Sequence, residues 1–239
     1  KHMSKAHLLQ KKAVPMVWAE RDILIYMAQY VPYTFVTELK WAFQSQTECY
    51  LVMNLVRGGD LHGAIYRNVL ELRKSGINGG INGDTHISSA YLYKMMENVS
   101  NPDKFQLQGF PEEDVKLIAA EMLVGLDHLH SANIVYRDLK PKNILITHNG
   151  HICYADFGLA TTLKDFEKYK ARHRTGTPGY MAPEMACGLP YSFGVDVFAF
   201  GCALYELLHG LPPFNPHKFV KLSKNHCPNI TEQEIKHQI

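Results

Sequence analysis

"IVYRDLKPKNILI", residues 134–146, sets Arg137, Asp138, Lys140, Lys142 and Asn143 inside an apolar frame. The flanks, Ile134-Val135-Tyr136 and Ile144-Leu145-Ile146, read as two short buried strands. Burying polar groups without partners is costly, so a frame of this kind keeps them for a reason. The stretch therefore predicts a tight loop between strands, with its polar side chains turned to one use.

Working outward, "NILITHNGHICYA" (143–155) reads as two strands joined at Asn149-Gly150, a strong hairpin signal. Asp156-Phe157-Gly158 stands just beyond. Such a hairpin returns the chain so that Asp138 and Asp156 face one cleft. Phosphoryl transfer requires a carboxylate to orient the attacking hydroxyl, cations on the transferring group and oxygen ligands for magnesium. Asp138, Lys140 and Asn143 supply these groups within one short loop, and Asn143 with Asp156 suits magnesium. The competing reading makes Asp138 and Asp156 turn residues that cap local backbone.

Upstream, "PEEDVKLIAAEMLVGLDHLH" (111–130) opens with Pro111 and three acids, as helix N-termini do. Val115, Ile118, Ala119, Met122, Leu126 and Leu129 give it an apolar stripe. Residues 5–29 read as helical, with a break or restart near residue 14 because of Pro15. Strands are expected over 33–43 and 48–56, and the near-continuous apolar run "CYLVMNLV" (49–56) suits a strand covered on both faces. Gly58-Gly59 ends it, and a helix starts near Asp60. Residues 68–108 differ in character: "SGINGGINGD" (75–84) and "NVSNPD" (98–103) are turn-rich and mark a flexible insertion. The glycine spacing at 76–83 is wrong for a phosphate cradle. "GVDVFAFGCALYELLHG" (194–210) is apolar almost all round, which predicts a buried central helix stopped by Gly210 and Pro212-Pro213.

Composition narrows the classes. The 239 residues are 46% hydrophobic and 20% charged, a globular balance, and the formal net charge is +2. That charge gives no reason to expect nucleic acid or a membrane surface as partner. The five cysteines are odd in number and widely spaced, so reduced, mostly buried thiols of a cytosolic protein are expected. The thirteen histidines contain no His-Glu-x-x-His, and His128 and His130 fall on different helix faces. No run is long and apolar enough to predict a membrane span, and no signal-peptide core opens the chain.

"YRDLKPKN" (136–143), "DFG" (156–158) and "APE" (182–184), in this order, resemble the protein-kinase signature set. Lys140 resembles the serine/threonine branch. Tyr136 in place of histidine, with "GGDL" (58–61), resembles the AGC group. "GTPGYMAPE" (176–184), "GGDLH" (58–62) and "PFNPHK" (213–218) look most like the G-protein-coupled-receptor kinases. Two departures stand out: Asp-Phe-Gly where that subfamily commonly has Asp-Leu-Gly, and the long insertion.

The resemblance implies an α+β, two-lobed protein-kinase fold. Residues 1–53 would form a partial sheet lobe that lacks the first strands and the glycine-rich loop. Residues 54–59 would be the hinge, and 60–239 a helical lobe with the insertion at about 68–108, truncated at its end. It implies ATP- and Mg2+-dependent phosphoryl transfer to serine or threonine hydroxyls of protein substrates in the cytoplasm, with an activating protein partner. Asp138 would be the catalytic base, Lys140 would contact the transferring phosphate, and Asn143 and Asp156 would bind magnesium. Lys1 would be the ATP lysine, by a nineteen-residue spacing from its partner Glu20. Met53 would be the gatekeeper, Asn54 and Val56 would offer hinge backbone to adenine, and Asp60 would hold the ribose. Thr177 would join the substrate-facing loop, while Glu184 and Asp196 anchor loops of the lower lobe. In many AGC kinases a phosphothreonine pairs with the arginine beside the base, here Arg137. His173 occupies that threonine's place, and Thr175 is out of register, so activation without phosphorylation of this segment is expected. The rival reading is a non-catalytic, kinase-like binding or scaffold module.

Overall fold

The computed structural model describes residues 1–30, 35–65, 109–163 and 174–214. The insertion expected at about 68–108, His173 and the chain after residue 214 lie outside the described residues. The α+β class is met: helices and strands alternate in two connected halves.

The first half is a three-stranded antiparallel sheet with two helices. Strand β1 (His2–Ser4) leads into α1 (Lys5–Gln10) and α2 (Val14–Tyr30). The helical break falls where Pro15 predicts it, because proline suits the first turn of a helix and not its interior. β2 (Leu39–Gln44) and β3 (Glu48–Met53) complete the sheet in the order β1-β3-β2. His2, Tyr50 and Phe43 are cross-strand neighbours, and their rings stack at 5.1 and 4.9 Å between centroids.

Two expectations fail in this half. β3 is not covered on both faces: Leu51 alone of its residues is buried, and Trp41 and Phe43 on β2 are exposed. An unbroken apolar run cannot report which face meets a neighbour. The second strand also starts at Leu39 instead of residue 33. The residues before it are bonded to the other half, through Tyr154 N to Phe35 O (2.7 Å) and Thr37 N to Tyr154 O (3.0 Å). A cavity of about 360 Å³, lined by Leu8, Leu9, Val17, Trp18 and Phe43 among others, opens between α1, α2 and the sheet, away from the polar loop.

The second half is built on α3 (Glu112–Ser131), the short α4 (Pro183–Ala186) and α5 (Gly194–His209). Glu112, Glu113 and Asp114 sit in the first turn of α3 and His128 and His130 in its last, which complements the helix dipole. Its predicted stripe faces the core through Val115, Met122, Leu126 and Leu129. Gly210 closes α5 with φ +78°, its N–H bonded to Glu206 O at 2.7 Å. α5 buries Val195, Ala199, Phe200, Ala203 and Leu207, but Val197 and Tyr205 are exposed, so it is not buried all round as its composition suggests. Apolar content sets how much a helix wants to bury, not how many neighbours reach it.

The polar loop lies among β4 (Ile134–Val135), a 3₁₀ turn (Pro141–Asn143), β5 (Ile144–Ile146), β6 (Ile152–Tyr154) and β7 (Thr161–Thr162). The hairpin forms as predicted, with Ile144 opposite Tyr154 and Gly150 at φ +86°. The connection between the halves is fastened to β5. Gly58 N bonds Ile146 O at 2.9 Å, and Ile146 N bonds Gly59 O at 2.8 Å. A Cβ at Gly58 would stand 2.3 Å from Ile146 O, so only glycine fits there.

Cys49, Cys153 and Cys202 are free, whereas Cys187 is disulfide-bonded, against the expectation of thiols throughout. An odd count excludes complete pairing but not one bridge. Among the described residues no helix is long and apolar enough to cross a membrane.

Candidate active site

The loop from Tyr136 to Asn143 is held from below by α5. Asp196, fully buried, accepts the N–H groups of Tyr136 and Arg137, each at 2.8 Å, and lies 2.9 Å from His130 Nε2. This is the loop-anchoring role expected of it. Arg137 is left-handed, at φ +68°, a conformation unfavourable to side chains beyond glycine. The carboxylate of Asp196 is what makes that bend tenable, since it collects two consecutive N–H groups that no strand partner receives. Tyr136 is buried against Tyr154 and Phe157, and its hydroxyl donates to Ala155 O. Burial first, then the nearby carboxylates, push this phenol well above its ordinary value, so it serves as a neutral donor.

Asp138 is buried at the bend, and three side chains converge on it. Thr177 Oγ1 donates to Oδ1 at 2.6 Å, while Lys140 Nζ and Asn143 Nδ2 each donate to Oδ2 at 2.8 Å. Lys140 Nζ also donates to Thr177 Oγ1 at 2.5 Å, which closes the ring. Asn143 Nδ2 reaches the Asp138 backbone carbonyl as well, at 2.9 Å. With its amide nitrogen so occupied, Asn143 keeps Oδ1 as an acceptor.

The second cluster is assembled across the chain. Lys1 Nζ bonds both oxygens of Glu20, at 2.9 and 2.8 Å, and Asp156 Oδ1 at 2.8 Å. Glu20 projects from α2 and is 2% exposed, so the burden of desolvation falls on it and pushes its carboxyl up; Lys1 opposes that shift. Burial lowers Lys1, but the charge of Glu20 and the bonds to both acids outweigh it, and the net shift is upward. For Asp156 burial raises the carboxyl, and the Lys1 bond and charge with the Gly158 N–H carry it below the ordinary range. The contribution of this depressed carboxyl is therefore present above the ordinary aspartate range and lost as pH falls through the folded value. In a Lys1→Met variant Asp156 is expected to titrate at higher pH than in the parent, read by carboxyl NMR. An unmoved titration would show that Lys1 does not hold Asp156 in solution.

The two clusters meet through backbone: Ala155 N bonds Asn143 O at 3.0 Å, and Asp156 follows with φ +55°. Asn143 Oδ1 and the carboxylate of Asp156 form a hard-oxygen donor pair, the ligand chemistry that magnesium takes. On that ground the residues fit the ion.

The remaining predicted residues line the connection. Met53 ends β3 and is half-buried. Asn54 N bonds Glu38 O at 3.1 Å and its side chain bonds Glu38 at 2.7 Å, so both donors are taken up by Glu38. Asn54's carbonyl and Val56's backbone make no bond among the described residues. Asp60 uses Oδ1 to accept Gly63 N at 2.6 Å, capping the helical turn at 61–65. Glu184 makes no ion pair among the described residues.

Three features escape the sequence reading. Thr177 touches Asp138 directly instead of only joining a neighbouring loop. Arg137 bonds Leu159 O and the Tyr191 hydroxyl. Tyr180 OH donates to Glu206, a carboxylate 1% exposed in the last turn of α5. Only the last had a signal, an acid set among the apolar residues of a helix.

The family model described as "Protein kinase domain" matches residues 83–238. G protein-coupled receptor kinase 1 of Caenorhabditis elegans is 35% identical over 218 residues, which cover 91% of this chain and 27% of that protein. Rhodopsin kinase of Homo sapiens is 32% identical over 256 residues, 98% of this chain and 38% of the relative. Ribosomal protein S6 kinase 2 beta of Xenopus laevis is 37% identical over 195 residues, 82% and 24% respectively. The chain thus spans between about a quarter and two-fifths of these relatives. All three belong to the AGC group of serine/threonine kinases, the group whose motifs the sequence resembles.

Proposed function

The chain belongs to the protein kinase domain family, and we infer that it forms the catalytic centre of a serine/threonine kinase of the AGC group. The observation that carries this reading is the pair of clusters that share the Asn143–Ala155 bond, one around Asp138 and one around Asp156.

In this reading Asp138 accepts the proton of a serine or threonine hydroxyl as its oxygen bonds to the terminal phosphorus of the nucleotide and the bond to the departing diphosphate breaks. Thr177, already on Oδ1, yields its place to the substrate hydroxyl or steers it. Lys140, bridging Asp138 and Thr177, lies where charge grows on the transferring group. Glu20 holds Lys1 toward the nucleotide phosphates, and the Asn54 carbonyl and Val56 N–H face adenine beside Met53. Asp60 retains one oxygen for the ribose. ATP with magnesium, when bound, supplies the phosphoryl group and neutralises its charge; Asn143 and Asp156 would hold the metal. Residues 1–53, 54–59 and 60–239 act as sheet lobe, hinge and helical lobe. The protein works in the cytoplasm on protein substrates and is switched by a protein partner.

The test is transfer of labelled phosphate from ATP by the whole protein onto a peptide array. Label on serine or threonine peptides is expected, and its absence from active-site-intact protein would overturn the reading. Phosphatase treatment and Thr175→Ala are each expected to leave activity within about threefold, below the range typical of losing a catalytic group. Arg137 is already occupied by Leu159 O and Tyr191. A collapse in both samples would show that a phosphorylation switch exists in this segment.

A further inference from the structure

Arg137 makes more contacts than the proposed transfer uses. Its guanidinium is half-buried, with Nε donating to Leu159 O at 2.5 Å and Nη1 to the Tyr191 hydroxyl at 3.0 Å. Leu159 ends the run that begins with Asp156. Tyr191 is 8% exposed, just ahead of α5, in a second core cluster with Val135, Met181, Met185 and Val195. That cluster makes Tyr191 a fixed post, while an arginine side chain is long and goes where its far end is held. Arg137 also touches the segment that leads to Thr177. A Cβ on Gly176, at φ +122°, would stand 2.8 Å from Arg137 O, so the chain passes there in van der Waals contact. One residue thus meets the Asp138 loop, the end of the Asp156 loop and the approach to Thr177.

We propose that Tyr191 is a positioning residue for the transfer, its hydroxyl holding the Arg137 guanidinium on the Leu159 carbonyl so that Asp138 and Asp156 keep a fixed separation. The proposal rests on the kinase reading above. The two bonds are made by a buried hydroxyl and a backbone carbonyl, neither of which requires a modified side chain. Removing the hydroxyl alone, in Tyr191→Phe, keeps the ring and its packing but frees Nη1. The guanidinium then has one tether instead of two, and the two acids lose their common reference.

The test uses the whole protein with Tyr191→Phe, Arg137→Met and the double variant. For Tyr191→Phe, kcat is expected to fall roughly 10-fold to 100-fold, the scale of a small misplacement of reacting groups, with KM for ATP nearly unchanged. The double variant should lose no more than Arg137→Met alone, because both changes break one device. Amide hydrogen exchange should quicken over residues 156–163 and stay at parental rates over α3. Unchanged exchange at 156–163, or losses that multiply in the double variant, would overturn the proposal. If the parent protein transfers no phosphate, the kinase reading fails instead, and the exchange rates still decide whether Tyr191 clamps the loop.

Discussion

Asp138→Asn in the whole protein is expected to lower turnover by roughly 10²-fold or more, with nucleotide affinity nearly unchanged. The side chain keeps its shape, but one of its two acceptor oxygens becomes a donor. Oδ2 faces the donors of Lys140 and Asn143, so an amide nitrogen there sets donor against donor, and an amide nitrogen at Oδ1 forces the Thr177 hydroxyl to turn from donor to acceptor. The negative charge that draws a hydroxyl proton is gone as well. Nucleotide affinity should hold because the hinge, Lys1 and Asp156 lie on other elements. Steady-state kinetics with a nucleotide titration separates the two quantities. A variant within about threefold of the parent, below the range of acid–base contributions, would remove Asp138 from the role of base.

Asp196→Ala is expected to destabilise the fold by at least about 3 kcal/mol, at roughly 1–3 kcal/mol for each buried donor left without a partner. Three groups lose their acceptor: the N–H of Tyr136, the N–H of Arg137 and the His130 ring. Arg137 loses in addition the support for its left-handed backbone. Asp196→Asn should fall between parent and alanine, since its single oxygen satisfies one N–H while its amide repels the other. Urea unfolding reads both. A parent-like midpoint for Asp196→Ala would show that water or a neighbour takes over those donors. The kinetic and stability losses should be separable: Asp138 accepts from the side chains of Thr177, Lys140 and Asn143, whereas Asp196, fully buried, holds the backbone of the loop.

The secondary structure around the site was legible because each element carries its own local signal. Pro111 with three acids opens α3, Asn149-Gly150 turns the hairpin, and Gly210 closes α5. The polar residues trapped between Val135 and Ile144 marked Asp138, Lys140 and Asn143, since residue type and spacing suffice to state what chemistry a loop carries. The resemblance to protein kinases implied the pairing of Lys1 with Glu20, and that ion pair forms. Tertiary structure alone decided the rest. Which face of β3 is covered depends on what α1 and α2 leave open, and no run of apolar residues records that. The pairing of Phe35 and Thr37 with Tyr154, the closure of Thr177 on Asp138 and the hold of Tyr191 on Arg137 join residues far apart in the chain. Left-handed backbone at Arg137 and Asp156 is equally invisible from residue type, because each is favoured only by the bonds around it. A sequence shows which groups want partners; the fold decides which partner each one finds, because distance and direction are set only when the two halves pack.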